Sequence, residues 1–152
     1  MIRFTKGDLL HSSADTLVNT VNNVGVMGKG IALQFRETFP HNYQVYRWVC
    51  QAGGLQIGEL LVVKDSSLLT GEKTIINFPT KTHWRKPSEY SYVESGLSAL
   101  RKFLMENAAT TIAMPAPGCG NGGLSYHTVK ALIAEYLSGL DADIEVYEPH
   151  AG

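Results

Sequence analysis

Two glycine-rich stretches carry the first chemical signal, Gly25-Val26-Met27-Gly28-Lys29-Gly30 and Gly118-Cys119-Gly120-Asn121-Gly122-Gly123. Glycines let backbone N–H groups come close to a phosphate, and a helix that begins directly after such a loop adds the positive end of its dipole. The first stretch by itself also reads as a flexible strand-to-helix turn. It lacks the Gly-Lys-Ser/Thr of a Walker loop, and no acidic residue stands at the offset that a dinucleotide-binding G-x-G-x-x-G requires. The second packs four glycines into six residues, more than a turn needs and enough to wrap amides around a diphosphate. Taken together, the two loops point to a nucleotide that carries a diphosphate.

Other side chains have two readings each. Asp8 follows the first apolar alternation, where its carboxylate either accepts from an adenine amino group or caps a turn through its own backbone. Asn19 and Asn22 lie three apart at the end of an apolar run, so they face opposite ways; Asn22 is nearer the loop, and its amide can both donate to and accept from ribose hydroxyls. Lys81, His83, Trp84, Arg85 and Lys86 form a basic cluster around an aromatic ring. That pattern suits stacking on a single-stranded base, although Trp84 equally fits a ring packed beneath its loop. Cys119, between two glycines and without an evident His or Asp partner, reads as a small filler rather than a nucleophile. His11, His41, His127 and His150 show no metal-ligand spacing.

Alternating strands and helices must hold these residues. Strands are predicted at Ile2–Phe4, Thr16–Asn22, Glu59–Val63, Thr74–Phe78, Thr111–Met114 and Ile144–Tyr147, from short β-branched or alternating runs bounded by Gly, Pro or polar residues. Helical spacing predicts helices from Ile31 to Pro40, from about Asn42 to Ala52, after Ser88 as N-cap, and from about Tyr126 to Leu137. Thr80 to Pro87 reads as a polar, basic connection. This order predicts a three-layer α/β/α domain with a mixed, largely parallel central sheet, whose ligands sit beyond the carboxyl ends of the strands. Both glycine loops fall at that rim.

Composition sets the frame. The 152 residues suit one domain, spanning 1–152, with 44% apolar and 18% charged residues and no low-complexity segment. Thirteen Lys and Arg against 14 Asp and Glu leave no general attraction for nucleic acid, so any basic surface has to be local. The two cysteines, Cys50 and Cys119, form neither a disulfide framework nor a zinc set, which suits a cytoplasmic protein. No apolar run approaches the ~18 residues of a membrane span, so no membrane partner is expected.

Lys6-Gly7-Asp8-Leu9, Val18-Asn19-Thr20-Val21-Asn22 with its glycine-rich continuation, and Pro115-Ala116-Pro117-Gly118-Cys119-Gly120 resemble the macrodomain family over nearly the whole chain. Asn77-Phe78-Pro79-Thr80-Lys81-Thr82-His83-Trp84-Arg85-Lys86-Pro87-Ser88 is similar to the terminal ADP-ribose glycohydrolase branch, and most of all to the DarG-type antitoxins that reverse DNA ADP-ribosylation. The resemblance implies an ADP-ribose site. Asp8 and Leu9 would lie at the adenine, Asn22 at the distal ribose, and Gly28, Lys29, Gly30, Ile31, Pro117, Gly118, Cys119, Gly120, Asn121, Gly122, Gly123 and Leu124 around the diphosphate and distal ribose. The catalytic lysine of the branch matches Lys81, and His83, Trp84, Arg85 and Lys86 would meet the DNA. The human enzyme of this branch carries an aspartate where this chain has Gly122; the DarG type has glycine there.

The implied activity is hydrolysis of ADP-ribose from DNA, with thymidine in single strands as the modified base. No metal or other cofactor is called for, a DarT-type DNA ADP-ribosyltransferase toxin is the expected partner, and the resemblance implies a monomer that forms the N-terminal domain of a longer antitoxin. Two other readings stay open at this point. One is a module that binds ADP-ribose without cleavage; the other is an enzyme acting on ADP-ribosylated protein carboxylates or on O-acetyl-ADP-ribose.

Overall fold

A computed structural model describes residues 1–107 and 110–149; His150 lies outside the described residues. The strands are β1 (Ile2–Thr5), β2 (Thr16–Asn22), β3 (Leu61–Ser67), β4 (Gly71–Lys81), β5 (Thr111–Pro115) and β6 (Asp143–Tyr147). The helices are α1 (Gly30–Thr38), α2 (Pro40–Gln51), α3 (Tyr90–Glu106) and α4 (Tyr126–Leu137), with single 3-10 turns at Leu9–His11 and Gly120–Gly122. The six strands form one sheet in the order β1-β6-β5-β2-β4-β3, parallel throughout except for the β3–β4 hairpin.

Apolar residues on both faces of the central strands explain the three layers, because a parallel sheet buries both sides. Val18, Ile76 and Ile112 turn toward Val93, Leu97 and Leu100 of α3 and Val129 and Ile133 of α4, all essentially inaccessible to solvent. Their sequence neighbours Leu17, Ile75 and Ala113 turn the other way, toward Phe35 and Phe39. Each fully buried aliphatic or aromatic side chain contributes roughly 1.5–3 kcal/mol to folding, so these two layers fix which residues end at the rim. A reciprocal amide pair adds specificity: buried Asn42 donates to Asn77 Oδ1 at 3.2 Å, and Asn77 donates back to Asn42 Oδ1 at 2.8 Å.

β4 runs past its hairpin partner. Pairing with β3 ends at Leu61–Asn77, so from Phe78 onward β4 has a neighbour on one side only. This is why Pro79, which cannot donate, is tolerated in a strand. Beside β2 the register slips at the same point, Val21 pairing with Pro79 but Asn22 with Lys81. Thr80 is the extra residue of a bulge.

Several boundaries differ from those the sequence predicts. α2 begins at Pro40 rather than Asn42, since proline at the first helical position forfeits no hydrogen bond. β3 begins at Leu61 and continues through Lys64-Asp65-Ser66-Ser67, because an antiparallel edge strand exposes one face and needs no apolar run there. β4 reaches from Gly71 to Lys81, taking Thr80 and Lys81 out of the expected loop. Ser88 is not the N-cap of α3. Glu89 occupies that position without a side-chain capping bond, and Ser88 is instead buried against the second glycine loop.

Candidate functional site

The first glycine loop is built from below by Asn22 and Tyr46. Asn22 Oδ1 accepts from the backbone N–H of Val24 at 3.1 Å and of Val26 at 3.2 Å, and its Nδ2 donates to the Val26 carbonyl at 2.8 Å. The Tyr46 hydroxyl donates to both the Asn22 carbonyl at 2.6 Å and Asn22 Oδ1 at 2.9 Å. Burial pushes the Tyr46 phenol far above its ordinary value, so it stays protonated. The Asn22 side chain, 7% exposed, thus commits its oxygen and one of its two amide hydrogens to the loop.

α1 starts at Gly30 directly after this loop, with Lys29 in the N-cap position and making no capping bond. The first amides of a helix have no partner inside it, so Gly30 and Ile31 present N–H groups at the positive end of α1. Ile31 also packs its side chain on the core below. Gly28 and Lys29 are exposed at the lip.

The second loop faces the first. Pro117 and Gly118 are buried, Gly120, Asn121 and Gly123 are exposed, and Leu124 is half-buried. Gly118 has φ +80°, and a Cβ there would lie 2.6 Å from Leu124 Cδ1, so both conformation and space demand glycine. The loop closes through Leu124 N–H to Gly118 O at 3.0 Å and is tied to the start of α3 by Ser88 N–H to Gly122 O at 3.1 Å. The lips approach at Gly30, where an added Cβ would meet Asn121 Nδ2 at 3.0 Å. Ser88 Oγ is buried without a hydrogen-bond partner and stands 2.4 Å from where a Gly122 Cβ would be. Cys119 is half-buried, and burial pushes its thiol up to about 11, which fits the filler role and not a thiolate nucleophile.

Lys81 ends β4, opposite Asn22, and Asn23 N–H donates to its carbonyl at 3.1 Å. Its side chain is half-buried, and Nζ donates to the Trp84 carbonyl at 3.4 Å. Burial, and then the neighbouring Lys29 cation of the first loop, lower its pKa from the ordinary lysine value. The structure thus brings together Lys81 and both glycine loops, residues that stand far apart in sequence.

Beyond Lys81 the basic connection projects outward. Trp84 is 46% exposed, which excludes the buried alternative. His83 stacks on it with centroids 5.2 Å apart, and the Arg85 guanidinium lies 4.5 Å from the ring centroid. His83 Nδ1 accepts from Arg85 N–H at 3.0 Å, giving the turn a fixed shape, and Lys86 is exposed at its end.

At the carboxyl end of β1, Asp8 caps the 3-10 turn by accepting from Leu10 N–H at 3.0 Å, and its other oxygen lies 3.5 Å from His11 Nδ1. The turn reading of Asp8 therefore holds. The carboxylate is still half open to solvent, whereas the Leu9 side chain is buried in the core, 3% exposed, leaving only its backbone to meet a ligand. Sequence reasoning missed Tyr46 and Ser88 as parts of the site. A buried tyrosine at helical spacing and a serine before a helix carry no sign of which loop they will touch. No group of three potential metal ligands occurs among the described residues.

A parallel-rich sheet with two glycine loops and a half-buried lysine at its carboxyl rim defines an α/β domain whose candidate site lies at the strand ends. The chain belongs to the Macro domain family, whose model matches residues 18–133. Among its relatives, the DNA ADP-ribosyl glycohydrolase of Thermus aquaticus is 49% identical over 150 residues, covering 98% of this chain and 41% of that protein. The macrodomain of Mycobacterium tuberculosis DarG superposes with a TM-score of 0.92 at 44% identity, covering 99% of both chains. Thermosipho africanus DarTG in complex with ADP-ribose gives 0.88 at 35% identity, over 97% of this chain and 41% of that one. The chain spans about two fifths of the length of the DNA ADP-ribosyl glycohydrolases it matches. No helix of the described residues is long and apolar enough to cross a membrane.

Proposed function

We propose that this chain binds ADP-ribose between its two glycine loops and hydrolyses the N-glycosidic bond that joins it to a base, thymidine, in single-stranded DNA. The placement of Lys81 carries the reading: a half-buried amine of lowered pKa stands at the end of β4 beside the first glycine loop. Family likeness supports it, since relatives 44–49% identical over nearly the whole chain are DNA ADP-ribosyl glycohydrolases. In this scheme the amides at the start of α1 and the Gly118–Gly123 turn neutralise the diphosphate. Asp8 keeps one open oxygen for the adenine amino group.

The bond broken is between the anomeric carbon and the base nitrogen. Water supplies hydroxyl to the carbon and a proton to the base, so free ADP-ribose and unmodified DNA are released. Lys81 assists either as a neutral amine that attacks the anomeric carbon as the base leaves with a proton, water then cleaving the lysine adduct to free ADP-ribose and the amine, or as an ammonium that helps the base depart. Its lowered pKa raises the neutral fraction at a given pH, which the first role requires. Trp84 and Arg85 flank the exit from the crevice with a ring and a cation suited to a base and its phosphate. Within the same proposal the activity opposes a DNA ADP-ribosyltransferase of the DarT type; one relative, 35% identical, is a fusion of such a transferase with a glycohydrolase. Incubation with an ADP-ribosylated oligonucleotide should release free ADP-ribose, whereas binding without release would leave a recognition module.

A further inference from the structure

Charge is distributed unevenly over this near-neutral chain. Segments 22–52 and 77–88 hold Lys29, Arg36, Arg47, Lys81, Arg85 and Lys86 but only one carboxylate, Glu37, leaving seven cations and thirteen carboxylates for the rest of the chain. Among the described residues, none of these six cations has a carboxylate within ion-pair distance.

The fold brings the backbones of the two segments together through the first glycine loop. The Lys81 carbonyl holds Asn23 N–H, and the first glycine loop then packs onto α2, where a Cβ at Gly25 would lie 3.9 Å from Arg47 Cα. One helical turn before Arg47 is Tyr43, with the Arg36 guanidinium 4.6 Å from its ring centroid. Next to Arg47, Trp48 is 66% exposed, more open than Trp84. A large aromatic left in solvent, beside unpaired arginines, has no packing role that explains it.

We infer that single-stranded DNA, after passing Trp84 and Lys81, continues across the first glycine loop onto α2, where Arg47 meets a phosphate and Trp48 stacks on a base. The proposal rests on the DNA reading above and extends it from one contact loop to a track with an aromatic platform at each end. Interleaved rings and cations favour a nucleic acid over an acidic protein segment, which would use the cations and leave Trp48 idle.

The test uses fluorescence anisotropy with unmodified, labelled oligothymidylates of two lengths, a tetramer and a pentadecamer. Wild type should bind the longer strand more tightly. Trp48→Ala should weaken binding of the pentadecamer about tenfold, and Arg47→Ala should reduce the slope of log affinity against log salt by about 0.7. Both residues are exposed, so the thermal midpoints of the variants report directly that the fold is intact. If both variants bind the pentadecamer as wild type does while Arg85→Ala weakens it, the α2 track is wrong and the contact loop stands. If the α2 variants behave as expected but no ADP-ribose is released from modified DNA, the track stands and the glycohydrolase reading falls. Competition by polyglutamate equal to that of the pentadecamer at matched charge would overturn the nucleic-acid assignment.

Discussion

Replacing Asn22 by alanine separates two roles that the residue type alone allows, brace of the first loop or contact to the ligand. The substitution deletes the acceptor for two loop N–H groups and the donor to the Val26 carbonyl, while the Tyr46 hydroxyl keeps the Asn22 carbonyl at 2.6 Å. Each lost bond is worth about 0.5–1.5 kcal/mol, and the Val24 and Val26 amides are near enough to the surface to regain water. The sum is about 2–4 kcal/mol. For a domain of this size it should lower the thermal midpoint by roughly 5–15 °C. Tyr46→Phe, which removes the hydroxyl but no loop bond, should cost about 1 kcal/mol. Scanning calorimetry measures the midpoints, and titration calorimetry the affinity for ADP-ribose, which should fall in Asn22→Ala because the ligand must order a loosened loop. A midpoint within about 1 °C of wild type, together with abolished ADP-ribose binding, would refute the brace and restore Asn22 as a direct contact.

Further outcomes follow from the same geometry. Lys81→Ala should slow ADP-ribose release by at least about a hundredfold, on the order of 3 kcal/mol of barrier, with far less change in ADP-ribose affinity; release at the wild-type rate would remove Lys81 from the mechanism. If neutral Lys81 attacks, the rate rises with pH toward its lowered pKa and then levels, whereas an ammonium role gives a fall over the same range. Lys29→Ala removes a neighbouring positive charge, makes protonation of Lys81 easier and so moves either limb to higher pH; an unmoved profile would show that the limb belongs to another group. Gly122→Ala places a Cβ 2.4 Å from Ser88 Oγ and 3.0 Å from Ser88 Cβ. It should cost about 1–2 kcal/mol, recovered when Ser88→Gly is added, and a single variant that melts like wild type would contradict the contact. The Cys119 thiol, pushed up to about 11 by burial, should react slowly with iodoacetamide at neutral pH, and rapid alkylation would show a thiolate that the structure does not provide.

The layers of the fold were legible because β2, β4, β5 and β6 are apolar runs cut off by glycine, proline or polar residues, and because α4 shows clear helical spacing. β3 was misplaced since half of it is polar, and a solvent-facing edge strand leaves no apolar record of that half. In the site, glycine spacing revealed both loops and the motif around Lys81 revealed the lysine. The bracing role of Asn22 could not be read from its type, because the same donor and acceptor that suit a ribose also suit a loop backbone; only the positions of Val24, Val26 and Tyr46 reveal it. Arg47 and Trp48 of α2 were overlooked for another reason. Arg47 and Arg85 are separated by thirty-seven intervening residues, and composition sees a neutral chain where the fold gathers one sign of charge.

The slipped register beside Asn22 gives residue number, and not only residue identity, a role in this protein. A bulge increases the local twist and re-aims the side chains that follow it, so removing one residue from the stretch 78–80 would straighten the strand end and change the direction in which Lys81 leaves the sheet without altering a single functional residue. Length variation in this short stretch is therefore expected to be far more restricted across natural homologues than at the β3–β4 hairpin tip, where Leu68 is fully exposed and Leu69 largely so. A homologue that gained or lost a residue there could retain every glycine, and the lysine itself, and still hold its amine out of line with the first loop.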